Sequence, residues 1–218
     1  MTSRNEYIYS TLKNLIKEPK SELNYNNAFQ LIIAVLLSAQ CTDKRVNLIT
    51  PKLFEKYKTP NDLANAKIED VENIIKSCGF YHNKANNIIE LSKKLVKDFN
   101  GEVPNNLDDL VKLNGVGRKT ANVVLAIWFN VPAIAVDTHV HRVSNRLGLS
   151  NSNDVVKIEK DLMKQFNKED WAELHHLLLL FGRYYCKSQN PKCKDCQFKD
   201  FCKYKKAIQK IVNSNKKY

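Results

Sequence analysis

Apolar residues recur at helical spacing along almost all of this 218-residue chain, and no stretch alternates apolar and polar residues as a half-buried strand would. The pattern predicts an all-α protein. Ser3 can cap a first helix with Ile8, Leu12, Leu15 and Ile16 on one face. Asn26 or Asn27 opens a second over residues 29–37, apolar on every side and therefore buried. Asp43 opens a third, which Pro51 should kink or break. Residues 68–76 form a short helix stopped by Gly79. Residues 82–99 form a long one with Ile88, Leu91, Leu95 and Phe99 on one stripe and Gly101 just past its end. Further helices are expected over residues 107–113, 118–129, 138–147 (ended by Gly148), 155–166 and 171–185, about ten in all. Connections are short, and nothing reads as a flexible linker or an internal repeat.

Charge narrows the partners. Lys and Arg number 35 against 23 acids, a net +12 that suits a polyanion, either nucleic acid or an anionic membrane surface. Residues 191–218 alone hold nine Lys and two Asp. No apolar run approaches the roughly 18 residues of a membrane span. The opening residues, MTSRNEYIYS, carry an acid and no apolar signal core, so a cytosolic location is expected.

Between two helical patterns stands Asn114-Gly115-Val116-Gly117, followed by Arg118, Lys119 and Thr120. Glycine allows positive φ and leaves the backbone bare. The N–H groups of such a turn, and of the helix start behind it, can point at a phosphate oxygen. The spacing is not that of a P-loop, which needs four residues between its glycines. A plain turn between helices is the bland alternative. Lys119 falls in the first turn of the following helix, where the macrodipole disfavours an ammonium and burial would add to that. An amine so placed is a candidate nucleophile for Schiff-base chemistry, or else a phosphate contact.

Asp137 ends an apolar run and is well placed as an N-cap; a catalytic part for it would require Lys119 nearby. His139 and His141 are two apart and His175 and His176 adjacent, wrong spacings for a shared metal, so they are read as packing, capping or phosphate contacts.

Six cysteines in a reducing compartment argue against a disulfide framework. Cys41 and Cys78 are isolated, but Cys186, Cys193, Cys196 and Cys202 follow the spacing C-x6-C-x2-C-x5-C, which marks a metal site. Zinc ribbons usually pair two C-x2-C knuckles, so a single pair with uneven flanks suits a [4Fe–4S] cluster better, with zinc left as the alternative. Lys187 and Lys192 sit in the first loop, where a rigid centre would present them to phosphates.

Together these features resemble the endonuclease III family, helix-hairpin-helix DNA glycosylases with an iron–sulfur cluster. The likeness runs from about Tyr7 to Tyr204. It rests on the hairpin from Gly115 to Ala121, on Val136-Asp137-Thr138-His139, on Leu37-Ser38-Ala39-Gln40, on Gly101-Glu102-Val103-Pro104 and on the cysteine spacing. The resemblance implies two helical lobes flanking a DNA-binding cleft. Residues 21–131 would form a six-helix lobe with the hairpin. Residues 1–20 would join residues 132–211 in a cluster lobe, with 212–218 a basic tail. It implies excision of oxidised pyrimidines and 3′ cleavage of the abasic site by β-elimination. Lys119 would be the Schiff-base nucleophile and Asp137 its proton-handling partner, with a [4Fe–4S] cofactor on the four cysteines. Gln40 would enter the gap left by a flipped base and Phe80 would act as a wedge, unless it packs in the core. Gly115, Val116, Gly117, Arg118, Thr120 and His139 would contact the DNA with Lys187 and Lys192. The expected partner is double-stranded DNA carrying a damaged pyrimidine or an abasic site. The expected state is a cytoplasmic monomer, associated with the nucleoid through DNA.

Two positions depart from the family's pattern. Asn114 replaces the usual hairpin proline, and Cys41 stands where a small non-thiol residue is common. Asn tolerates turn geometry, so the hairpin should still form, with a less rigid entry. An adenine glycosylase for A·8-oxoguanine mispairs shares the fold, but it lacks a lysine at the position of Lys119 and needs a glutamate in the helix over 31–39, which has no carboxylate. A non-catalytic helix-hairpin-helix module would have no use for Lys119 with Asp137. One C-x2-C on a basic helical chain fits a ferredoxin-like carrier poorly.

Overall fold

The computed structural model describes residues 1–204, and among these no strand occurs. The basic tail 212–218, the end of the cluster segment and Lys205 and Lys206 lie outside the described residues. In chain order the helices are α1 (Ser3–Leu15), α2 (Ala28–Ser38), α3 (Asp43–Lys56), α4 (Pro60–Ala64), α5 (Ile68–Ile75), α6 (Tyr81–Phe99), α7 (Leu107–Leu110), α8 (Arg118–Trp128), α9 (Thr138–Leu147), α10 (Val155–Gln165) and α11 (Trp171–Tyr184), with a 3-10 turn at Lys168–Asp170. No described helix is long and apolar enough to cross a membrane.

The caps explain most of the boundaries, and the helices depart from expectation at four places. Thr2, not Ser3, caps α1: its extended backbone lets the hydroxyl accept from Asn5 N–H at 3.3 Å. Asn27 caps α2, its Oδ1 accepting from Gln30 N–H at 2.8 Å. Pro51 does not break α3. Its ring is exposed, so the Asn47 carbonyl that loses its partner lies on the wet side, while Val46, Thr50 and Leu53 bury the other face. Helix α4 was not anticipated, although Thr59 and Asp62 form a reciprocal capping box with Pro60 at the first position. Helix α7 is shorter than expected, because Leu113 N–H bonds to Leu110 and turns the chain tightly after Val111.

The chain divides into two compact units. One is Ser21–Val131; the other joins Met1–Lys20 to the chain from Pro132 onward. In the first, α2 is the central rod. Leu31 through Leu37 are all buried, and α3, α6 and α8 pack around them while α4 and α5 lie on α6. In the second, α11 is central, with α9 and α1 against it and α10 on α9. Ile8, Leu12, Val140, Val143, Leu174, Leu177 and Phe181 fill its core.

Helices α9 and α11 meet at Gly182. A Cβ there would lie 2.8 Å from His139 Cβ and 3.1 Å from Val143 Cγ2. His175 and His176 are buried in α11; burial holds His176 below its ordinary pKa, and its Nδ1–H donates to the Ala172 carbonyl, 2.9 Å away. Both are therefore packing residues. Replacing Gly182 by Ala is expected to force the two helices apart and lower stability by roughly 1–3 kcal/mol, read as a fall in Tm. An unchanged Tm would mean the contact is not tight.

Candidate functional site

The glycine hairpin joins α7 to α8. Leu113 and Val116 point into the core and hold the turn down, closed by Val116 N–H to the Leu113 carbonyl at 3.1 Å. The two glycines do different work. Gly115 has φ +75°, and a Cβ there would lie 3.0 Å from both Asn87 Nδ2 and Leu36 Cδ1. Gly117 has an ordinary φ of −90° and open space where its Cβ would be. Conformation therefore demands glycine at 115, while at 117 its absent side chain serves only to keep the backbone bare. Asn114 is exposed and the turn is formed without the proline.

The first bond closing α8 runs from Ala121 N–H to the Gly117 carbonyl at 3.0 Å, so the N–H groups ahead of it project from the helix N-terminus. Arg118 and Lys119 are exposed and Thr120 is half-buried. Lys119 is thus not a buried amine: it stands in solvent on the first turn of α8, beside a bare backbone that favours anions.

Among the left-handed residues of this unit, two stand at predicted site positions. Gln40 has φ 54° just after α2, and Phe80 has φ 57° at the start of α6. Both are exposed, Phe80 by 64%, which excludes core packing for its ring. The segments are tied together. Lys84, buried in the first turn of α6, donates from Nζ to the Leu37 carbonyl at 2.9 Å. The Gln40 carbonyl lies 3.7 Å from where a Gly79 Cβ would stand. Cys41 and Cys78 also meet here, a contact across 37 positions that nothing in the sequence signals.

Asp137 belongs to the other unit. It caps α9, and both cap bonds go to one oxygen: Oδ1 accepts from His139 N–H at 2.9 Å and Val140 N–H at 2.8 Å. Oδ2 is left out of the cap, and the side chain is half-buried. The His139 ring lies 3.1 Å from Arg142 Nη2 and packs at Gly182; burial keeps it below its ordinary pKa. Its ring is thus engaged within its own unit.

Past α11 the chain turns through the four cysteines. Cys186 and Cys196 are half-buried and Cys202 is buried. Burial pushes the Cys186 and Cys196 thiols up, and Cys186, Cys202 and Cys193 all act electrostatically on Cys196, so the four stand together. Two N–H donors face the sulfurs, Arg146 Nη1 at 3.4 Å from Cys186 Sγ and the Phe198 N–H toward Cys196. Arg146 also donates to the Lys187 carbonyl at 2.8 Å, and Arg142 Nε to the Cys186 carbonyl at 3.0 Å. These arginines, four apart on one face of α9, hold the loop; their spacing was the available signal and it was missed. Among the described residues no three His, Cys, Asp or Glu side chains converge on a single-ion site. Lys187 and Lys192 are exposed, with Lys192 Nζ over the Tyr185 ring at 5.1 Å.

Residues 33–168 match the family described as HhH-GPD superfamily base excision DNA repair protein. The chain belongs to that superfamily and, within it, to the endonuclease III family. It is 50% identical to endonuclease III of Bacillus subtilis (strain 168) over 199 residues, 91% of each chain. It is 43% identical to endonuclease III of Escherichia coli (strain K12), over 92% of this chain and 95% of the relative. A solved structure of a trapped endonuclease III–DNA covalent intermediate superposes with a TM-score of 0.91 at 47% identity, covering 96% of this chain and 100% of the other.

The two glycines should separate in an unfolding experiment. Gly115→Ala carries a side chain into positive φ and a filled space, and is expected to lower stability by about 1–2 kcal/mol or more. Gly117→Ala should unfold near the wild-type urea midpoint. Equal losses would contradict the division of labour.

Proposed function

We infer that the chain is a bifunctional DNA glycosylase and abasic-site lyase that excises oxidised pyrimidines and then cleaves 3′ to the site. The observation that carries this is Lys119, an exposed amine on the first turn of α8 directly behind a bare, anion-favouring hairpin. That turn would receive backbone phosphates at the N–H groups of Gly115, Val116 and Gly117, with Arg118 and Thr120 beside them. Phosphate held there fixes the strand next to the amine. A structure at 47% identity was solved as a trapped covalent intermediate with DNA, the kind of bond an amine nucleophile makes.

With the damaged nucleotide turned out of the stack, the unprotonated Lys119 Nζ attacks the sugar C1′ and the base leaves from the same carbon. Ring opening yields an iminium on Nζ. Loss of a C2′ proton then expels the 3′ phosphate, and hydrolysis of the iminium frees the lysine. Asp137 Oδ2, outside the helix cap, is the oxygen assigned to the proton transfers, while Oδ1 and the His139 and Val140 N–H groups keep the carboxylate fixed. His139 serves through this N–H, since its ring is taken by Arg142. Gln40 fills the gap in the duplex, and Phe80 stacks beside it.

Cys186, Cys193, Cys196 and Cys202 suit a [4Fe–4S] cluster. The uneven spacing, with one C-x2-C pair and two single cysteines, is what favours a cluster over zinc. The N–H donors on Cys186 and Cys196 match the demand of anionic sulfur. When bound, such a cluster supplies rigidity and charge to the loop, and the loop's Lys187 and Lys192 would grip phosphate. The proposed partner is damaged double-stranded DNA, met by a monomer in the cytoplasm at the nucleoid.

Borohydride should trap the protein on duplexes carrying thymine glycol or an abasic site. Lys119→Gln should abolish trapping while leaving binding, and Asp137→Asn should slow turnover by about 10²–10⁴-fold. A Lys119→Gln variant that still traps and nicks would remove the nucleophile assignment. Metal analysis of the purified protein should give about four iron and four sulfide per chain; one zinc and no colour would replace the cluster by a zinc site.

A further inference from the structure

Cys41 and Cys78 lie outside the cysteine quartet, yet their sulfurs are 3.3 Å apart. Each occupies a turn just past a helix. Cys41 N–H bonds to the Ser38 carbonyl after α2, and Cys78 N–H bonds to the Ile75 carbonyl after α5. Each is also next to one of the exposed left-handed residues: Gln40 precedes Cys41, and Phe80 follows Cys78 by two positions. The sulfur contact therefore joins the two turns that carry these exposed residues.

The two thiols are unequal. Cys41 is half-buried, within reach of a small reagent, whereas Cys78 is 1% exposed. Burial and the neighbouring Cys41 push the Cys78 thiol up, against the pull of the Lys84 and Arg45 cations. Cys41 is the entry point and Cys78 the resolving partner. A bonded pair would sit at about 2.05 Å, so closure brings the two sulfurs more than an ångström closer and locks the two turns to each other. The turns already touch, with the Gln40 carbonyl 3.7 Å from the Gly79 Cβ position.

We propose that Cys41 and Cys78 are a reversible redox modification site, which a small-molecule disulfide closes to an internal disulfide that weakens the hold on damaged DNA. The Cys41 thiolate attacks the reagent's S–S bond, forming a mixed disulfide and releasing one small thiolate. The Cys78 thiol gives up its proton and attacks the Cys41 sulfur, releasing the second small thiol. The protein dithiol loses two electrons, the reagent gains two, and excess thiol reverses both steps. In a reducing compartment the resting state is the dithiol, so closure reports oxidative stress. Its effect on DNA rests on the reading of Gln40 and Phe80 given above; the bond itself does not.

The test treats the whole iron-loaded protein anaerobically with oxidised glutathione, following the cluster's visible absorbance in the same sample. Non-reducing peptide mapping is expected to find the Cys41 and Cys78 peptides joined, two hydrogens lighter. Affinity for a duplex with a stable abasic-site analogue should fall severalfold at unchanged absorbance and return with dithiothreitol. Cys41→Ser and Cys78→Ala should bind like the reduced wild type and ignore the oxidant. Free or merely glutathionylated thiols after treatment would overturn the pair, and a joined pair with unaltered affinity would overturn its regulatory consequence. A reduced protein with no preference for the lesion duplex would instead count against the function assigned to the two loops, while the peptide map still decides the bond.

Discussion

A helix cannot satisfy its own ends, and in this protein the residues proposed to carry the chemistry stand where that shortfall occurs. Lys119 rides the first turn of α8, where N–H groups project without helical acceptors. Asp137 answers the same shortage at α9 by accepting two N–H groups. Gln40 follows the end of α2, Phe80 begins α6, and the four cysteines come after α11. The apolar faces fix where each rod lies; the ends then deliver polar groups at positions the rods determine. Tight contacts at Gly115 and Gly182 keep those positions from drifting.

The core of each unit was legible because burial imposes a period. The apolar run in α2, the stripe of α6 and the glycines at 101 and 148 locate helices and stops by spacing alone. The hairpin and the cysteine spacing were legible because their residue types have few other uses. Failures came where local and wider forces diverge. Pro51 reads as a breaker, but its helix is held by core contacts on the other face. Helix α4 has a clear start signal and too few residues to show periodicity. The burial first considered for Lys119 is absent, since the turn is anchored by Leu113 and Val116 instead.

Which distant positions would meet was not legible, even where spacing set two arginines on one face of α9. Arg142 and Arg146 reach the cysteine loop 40 to 44 residues on, and Cys41 finds Cys78 across 37. Such pairings are set by how rods stack, which one sequence encodes only collectively. The protein thus holds sulfur in two settings. One is a quartet supplied with N–H donors by a neighbouring arginine and the backbone; the other is a pair at the foot of two exposed loops.

The single-oxygen cap at Asp137 has an evolutionary consequence. An asparagine would accept the same two N–H groups and cap α9 about as well, yet could not take the proton-transfer role proposed for Asp137. Architecture and chemistry are therefore divorced at this position. A silenced descendant would keep the same shape and much the same melting behaviour, leaving selection on foldedness blind to the loss.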